Sequence, residues 1–267
     1  MPKGILRLYP DLDGKVAIVT GSTSGIGKAV AVKLAMQGVR VVVNGTNKKR
    51  GGEIVSYIRS FGGEAVFVPA NVSDPAHVIG LVNCTVDSFG RLDIACNNAG
   101  NEGRGFDTHN YEEDVWDSTI GLNLTGVFLC MKYQLKQLVQ QYESTQDRAF
   151  NGAIVNMSSI AGLVGGASPA YNASKHGVIG LTKQAALDYA KYNIRVNAVC
   201  PAVTKTPMIE RFINTDPSVV EKWQSMHPIG RFAESDEVAS SVVWLLSSQS
   251  SFVTGSSIPV DGGWTAQ

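Results

Sequence analysis

The chain has 267 residues, 44% hydrophobic and 17% charged, and its 23 basic side chains are balanced by 23 acidic ones. That balance, with no long run of either sign, gives no electrostatic footprint for nucleic acid or an anionic membrane surface, so neither partner is expected. Nowhere do about 18 uncharged apolar residues follow one another, and the start, MPKGILRLYPDLDGK, lacks an apolar run of signal-peptide length, so a cytoplasmic protein is expected.

Cys84, Cys96, Cys130 and Cys200 form no close pair and have no matching histidine spacing. No disulfide and no metal site is expected, and the four read as small buried apolar residues. Residues 14–267 read as one domain with a single extended core, preceded by a short extension, 1–13.

The first element is KVAIVT (15–20), a β-branched strand, followed by the helical pattern GIGKAVAVKLAMQG with Gly38 placed to cap its end. Between them lies TGSTSGIG, with glycines at 21, 25 and 27. In a strand–turn–helix, Gly21 permits the tight turn, Gly25 lets the backbone approach a pyrophosphate at the helix N-terminus, and Gly27 allows close helix–strand packing. Three glycines also occur in plain turns. The preceding apolar strand and the βαβ context favour dinucleotide binding.

The second strand, VRVVV (39–43), runs into NGTNKKRGGE. A ribose with free hydroxyls is usually held at this strand end by a carboxylate, about 20 residues past the glycines. Here the place falls at Asn44–Gly45, and no carboxylate appears before Glu53. A 2′-phosphate would meet no repulsion, and Thr46, Asn47, the next helix N-terminus and Lys48 could bind it, which favours NADP over NAD. Lys48, Lys49 and Arg50 equally read as a solvated helix face, and with NAD, Asn44 or Thr46 would bond the ribose hydroxyls.

EAVFVPA (64–70), LDIACN (92–97), GAIVNM (152–157), IRVNAV (194–199) and SSIPV (256–260) complete seven candidate strands, and Pro75 opens a helix after Asp74. Several strands are apolar on both faces, as in Val41–Val43, and helices lie between them. The pattern predicts an α/β, doubly wound Rossmann-type fold with a seven-stranded, mostly parallel sheet covered on both sides. The polar tract QQYESTQDRAFNG (140–152) reads as a surface extension of the helix before the fifth strand.

SPAYNASKHGVIGLT (168–182) sets Tyr171 four residues before Lys175 at the head of a helix. A phenol with an ordinary pKa of about 10 is a poor acid or base at neutral pH, and a lysine one turn away can change that. Alone, the pair could equally be two residues sharing a helix face.

Taken with the G-x-x-x-G-x-G spacing, NNAG at 97–100 and the serines at 158–159, Tyr171-x-x-x-Lys175 makes the chain resemble the short-chain dehydrogenase/reductase family from residue 14 to about 264. The resemblance implies a tetrad of Asn123, Ser159, Tyr171 and Lys175 serving hydride transfer between a nicotinamide cofactor, NADP or NAD, and a carbonyl or alcohol. The family's usual thirteen-residue spacing would select Ser158, but the local pattern SSIAG matches Ser159, and a one-residue shortening is absorbed more easily by a loop than by a strand. Lys175 is expected to lower the Tyr171 pKa, helped by the oxidised nicotinamide's charge, while Ser159 bonds the substrate oxygen. Asn123 would hold a water linking Lys175 to solvent.

The same resemblance lays the cofactor along Gly21, Ser24, Gly25, Ile26 and Gly27, with Asn44 and Thr46 near its 2′ position. Ser24 and Thr46 occupy places where NADP-preferring relatives carry basic residues. Asn71 and Val72 stand by the adenine, Asn71 replacing an aspartate; Asn98, Ala99 and Gly100 lie against the ribose; Val203 and Thr206 meet the carboxamide. Residues 203–229 would form a substrate lid in which Met208, Ile209, Phe212, Trp223 and Met226 supply apolar surface, or else an amphipathic helix packing its own face. The small-molecule substrate is expected to be an uncharged, partly apolar carbonyl or secondary alcohol, and the assembly a homotetramer or a dimer. Two rival readings are a non-catalytic dinucleotide-responsive binding protein and an epimerase or dehydratase of the extended branch, whose longer C-terminal domain and glycine spacing do not fit.

Overall fold

A computed structural model describes residues 8–104, 107–145, 151–213 and 217–266. Strands β1 (Val16–Val19), β2 (Arg40–Gly45) and β3 (Ala65–Pro69) alternate with helices α1 (Gly25–Met36), α2 (Lys48–Ser60) and α3 (Pro75–Phe89). After β4 (Ile94–Asn97) come α4 (Glu113–Ile120), a π-helical turn at Gly121–Thr125, α5 (Gly126–Thr145), β5 (Gly152–Met157), α6 (Pro169–Tyr189) and β6 (Ile194–Pro201). A short strand β7 (Thr204–Lys205), α7 (Pro207–Ile213), α8 (Pro217–Ser225), β8 (Ala233–Glu234), α9 (Ser235–Leu246) and β9 (Ser257–Val260) complete the chain.

All seven expected strands are present and join in the order β3-β2-β1-β4-β5-β6-β9, every pair parallel. Strand interiors explain why. Along β1, Ala17 and Val19 face one apolar layer with α1, α2 and α9, and Ile18 faces the other with α3, α5 and α6, so both faces of the sheet are dry. Each such Val or Ile contributes about 1.5–3 kcal/mol on burial, and a strand without a polar face has nowhere to sit but mid-sheet.

The order reverses at β1: β2 and β3 lie on one side, β4 to β6 on the other. The crevice beyond the carboxyl ends of β1 and β4 is therefore where a doubly wound sheet offers a ligand site. Helix boundaries follow the local chemistry. Asp74 accepts hydrogen bonds from Ala76 and His77 N–H ahead of Pro75, and Gly38, at φ +87°, leaves α1 in a left-handed conformation.

Three features differ from the expectations. Leu12, inside the supposed extension, is fully buried in the α1–α9 layer, while Asp11 accepts from Ser248 N–H. Cys84 is exposed on α3, unlike the buried Cys96, Cys130 and Cys200. The pair β7–β8, in register Thr204↔Ala233, clips the two ends of the lid segment together. The polar tract is helical as far as Thr145, and residues 146–150 lie outside the described residues. Among the described residues no helix is long and apolar enough to cross a membrane, and no group of His, Cys, Asp or Glu could hold a metal.

Candidate active site

A cleft of about 370 Å³ opens at the strand-order reversal. Gly21, Ser24, Gly25 and Ile26 border it from the first turn, Asn44 and Thr46 from β2, Asn71 and Val72 from β3, and Asn98, Ala99 and Gly100 from β4. Ser159, Tyr171, Lys175, Val203 and Thr206 close the far end. Gly27 and Asn123 do not border the cleft; both are buried behind its wall.

The turn is built on glycine for steric reasons. Gly21 has φ +61°, and a Cβ there would stand 2.8 Å from Ala99 Cα; at Gly27 a Cβ would stand 2.5 Å from both the Gly21 carbonyl and Asn98 Nδ2. Thr20, which the sequence did not single out, joins the two loops: its Oγ1 accepts from the N–H groups of Asn98 (2.9 Å) and Ala99 (3.1 Å). Beneath them a buried amide chain runs from Gln134 through Asn97 and Asn156 to Thr182, tying α5, β4, β5 and α6 into one support.

At the end of β2 the place of a carboxylate is taken by Gly45, where a Cβ would meet Thr23 Cγ2 at 2.8 Å. Asn44 donates from Nδ2 to the Val68 and Ala70 carbonyls, leaving its buried Oδ1 without a partner among the described residues. Asn47 caps α2 by accepting from Arg50 N–H at 3.0 Å, and Lys48, Lys49 and Arg50 are exposed. Asn71 Oδ1 accepts from Ser73 N–H and Oγ, so the acceptor expected to face an adenine already carries two local donors.

Asn123 sits in the π-helical turn, a feature the helical pattern did not reveal. The turn aims its amide at Asn101, whose N–H donates to Asn123 Oδ1 (2.9 Å) and whose carbonyl accepts from Nδ2 (2.8 Å). A Cβ on Gly100 would stand 3.0 Å from Asn123 Oδ1 and 3.8 Å from Lys175 Nζ, so the missing side chain leaves the space between them open.

The two serines face different ways. Ser158 Oγ donates to the Lys175 carbonyl at 2.9 Å, whereas Ser159 Oγ donates to the Pro201 carbonyl at 3.4 Å and accepts from Ala161 N–H at 3.1 Å. Ser168 caps α6, accepting from Tyr171 N–H, with Pro169 at the first helical position. Lys175 Nζ donates to the Met157 carbonyl at 2.9 Å and lies 5.3 Å from the Tyr171 ring centroid.

Burial pushes the Tyr171 phenol up; the Ser159 hydroxyl pulls it down and the Glu102 carboxylate pushes it up. The Lys175 ammonium stands over the ring, and burial brings Lys175 itself down to about 8. Tyr171 therefore rests as a protonated acid until further positive charge enters the cleft.

The Lys175 shift has a measurable sign. Between pH 8 and the ordinary 10.5 the unfolded chain holds more protons than the folded one, so this group makes stability rise with pH across that window. Lys175→Met removes the group, so the melting temperature of the variant relative to the parent should be highest below pH 8 and decline towards pH 10.5. A difference that does not vary with pH would contradict a desolvated lysine.

Of the lid residues, Met208 and Ile209 border the cleft, while Trp223 and Met226 do not; the Phe212 side chain lies outside the described residues. Leu122 adds an apolar wall and Asn101 a polar one, neither anticipated.

Comparison with known proteins agrees with this geometry. A family model described as enoyl-(acyl carrier protein) reductase matches residues 21–265. The chain is 41% identical over 257 residues to the 2,5-dichloro-2,5-cyclohexadiene-1,4-diol dehydrogenase of Sphingobium indicum, covering 96% of this chain and 99% of that protein. It is 42% identical over 256 residues to the cyclohexanol dehydrogenase of an Acinetobacter species, covering 96% of each. The crystal structure of levodione reductase superposes with a TM-score of 0.89 at 34% identity, covering 95% of this chain and 98% of that one.

Proposed function

Because the chain belongs to the short-chain dehydrogenase/reductase family, and so is an NAD(P)-dependent oxidoreductase of alcohols and carbonyls, we propose that it interconverts a cyclic secondary alcohol and the corresponding ring ketone with Tyr171 as general acid and base. The observation that carries the reading is the Tyr171 phenol, half-buried beside Ser159 and Lys175 in a cleft whose wall includes Leu122, Met208 and Ile209. Both curated relatives described above are named for six-membered ring alcohols.

The cleft fits a nicotinamide dinucleotide: its first turn has room only for glycine at 21 and 27, and Asn44 presents a buried acceptor without a partner among the described residues. Gly21, Ser24, Gly25 and Ile26 would hold the pyrophosphate, Asn98, Ala99 and Gly100 the ribose, Asn71 and Val72 the adenine, and Val203 and Thr206 the carboxamide. When bound, the cofactor supplies the hydride acceptor or donor. Tyr171 gives its proton to the ketone oxygen or takes it from the alcohol. Ser159 shares the same oxygen and stabilises charge developing there. Lys175 adds positive charge beside the phenol, and Asn123 holds the 101 segment and the open space at Gly100 through which a proton can be replaced.

NADP is the proposed dinucleotide, because Gly45 replaces the ribose-binding carboxylate and leaves Thr23, Ser24, Thr46 and the α2 N-terminus to receive a 2′-phosphate. The competing observation is Asn44 Oδ1, which would suit a hydroxyl donor. Comparing kcat/KM for NADPH and NADH with cyclohexanone tests both parts: turnover with a preference for NADPH is expected. A preference for NADH above about tenfold, equivalent to about 1.4 kcal/mol, would overturn the cofactor assignment. A homotetramer is proposed as the assembly, supported by Trp116, Phe128 and Leu187, left exposed on α4, α5 and α6.

A further inference from the structure

Asn101 borders the cleft one residue beyond Gly100 and is held from three sides. Its main chain is clamped at both N–H and C=O by the Asn123 amide, and its Oδ1 accepts from Gly103 N–H at 3.2 Å. That last bond decides which end of the amide is which: the atom facing an N–H must be the oxygen, so the other end is Nδ2. Among the described residues Nδ2 has no partner, and the residue is half-buried at the cavity wall.

Close contacts surround the segment that carries this donor. Gly103, at φ +66°, presses against hydroxyls, since a Cβ there would stand 2.9 Å from Tyr111 Oη, 3.0 Å from Ser168 Oγ and 3.3 Å from Thr119 Oγ1. Ser168 Oγ, the cap of the helix bearing Tyr171, donates to the Glu102 carbonyl at 3.4 Å. Ser168 thus ties the backbone next to Asn101 to the first turn of the helix that carries Tyr171.

We propose that Asn101 Nδ2 donates a hydrogen bond to a second oxygen of the substrate, so that the preferred substrates are ring alcohols or ketones bearing a further hydroxyl or keto group. This rests on the ring-alcohol reading above and adds a residue that sets specificity. A carboxylate as the second group is disfavoured, because the neighbouring Glu102 carries a negative charge that reaches the reaction centre, where it pushes the Tyr171 phenol up. A neutral oxygen acceptor meets no such repulsion.

The test is the ratio of kcat/KM for cyclohexane-1,4-diol to that for cyclohexanol, in the parent, in Asn101→Asp and in Asn101→Leu. Asn101→Asp keeps an oxygen for Gly103 N–H and exchanges the donor for a charged acceptor, Asn101→Leu removes the donor without adding charge, and the ratio cancels effects common to both alcohols. The parent should favour the diol, and both variants should lower the ratio about fivefold or more. If Asn101→Asp fails to fold, Asn101→Leu alone reads the same ratio. A parent that oxidises both alcohols equally well, or a ratio unmoved by either substitution, overturns the role of Asn101 and leaves the reaction standing. A parent inert towards both alcohols and both ring ketones with either dinucleotide overturns the ring-alcohol reading and this inference with it.

Discussion

Tyr171→Phe is expected to lower kcat/KM for ring-ketone reduction by about 10³-fold while changing dinucleotide affinity by less than about threefold. The substitution removes one oxygen and keeps the ring that packs beneath Lys175, so the cleft keeps its shape. What disappears is the phenol that borders the cleft beside Ser159, and with it the proton that the proposed reaction gives to the substrate oxygen. In the free protein burial holds that phenol protonated, so the loss should be at least as large for reduction, which needs the acid, as for oxidation, which needs the base. Turnover within a few-fold of the parent would remove Tyr171 from the reaction.

The second large effect separates the two serines. Ser159→Ala should lower kcat/KM by about 10²-fold, because the hydroxyl proposed to share the substrate oxygen with Tyr171 is lost. Ser158→Ala loses a buried hydrogen bond to the Lys175 carbonyl, whose removal is worth about 1 kcal/mol of stability and little catalysis. Measured side by side at a temperature well below both melting transitions, the reverse order would transfer the catalytic role to Ser158. Both border the cleft, and their hydrogen bonds part them: Ser158 Oγ is spent on the Lys175 carbonyl of α6, whereas Ser159 Oγ meets Ala161 N–H and the Pro201 carbonyl.

The strands were legible because their sequences offer no polar face, and a sheet buried on both sides is the arrangement such segments can share. The Tyr171–Lys175 spacing was legible because one helical turn brings the two together. Other features depend on long-range contacts that no local pattern encodes. The π-helical turn at Asn123 arises where α4 meets α5, and only there does the amide reach Asn101. Thr20 bonds residues 78 and 79 positions away. The Gln134–Asn97–Asn156–Thr182 chain spans four elements, and each member alone reads as an ordinary polar residue. The upward push on the Tyr171 phenol was hidden for the same reason: spacing gives the lysine's proximity, whereas desolvation depends on everything packed around the phenol.

The central claim is that this cleft performs hydride transfer on a ring alcohol rather than merely sensing a dinucleotide. The most direct measurement mixes the purified protein with oxidised NADP or NAD and excess cyclohexanol, following the absorbance of the reduced nicotinamide while tryptophan fluorescence reports binding. The account predicts binding followed by steady accumulation of reduced cofactor, with one cyclohexanone formed for each and the signal abolished in Tyr171→Phe. Saturable dinucleotide binding with no reduced cofactor from cyclohexanol or from cyclohexane-1,4-diol would contradict it.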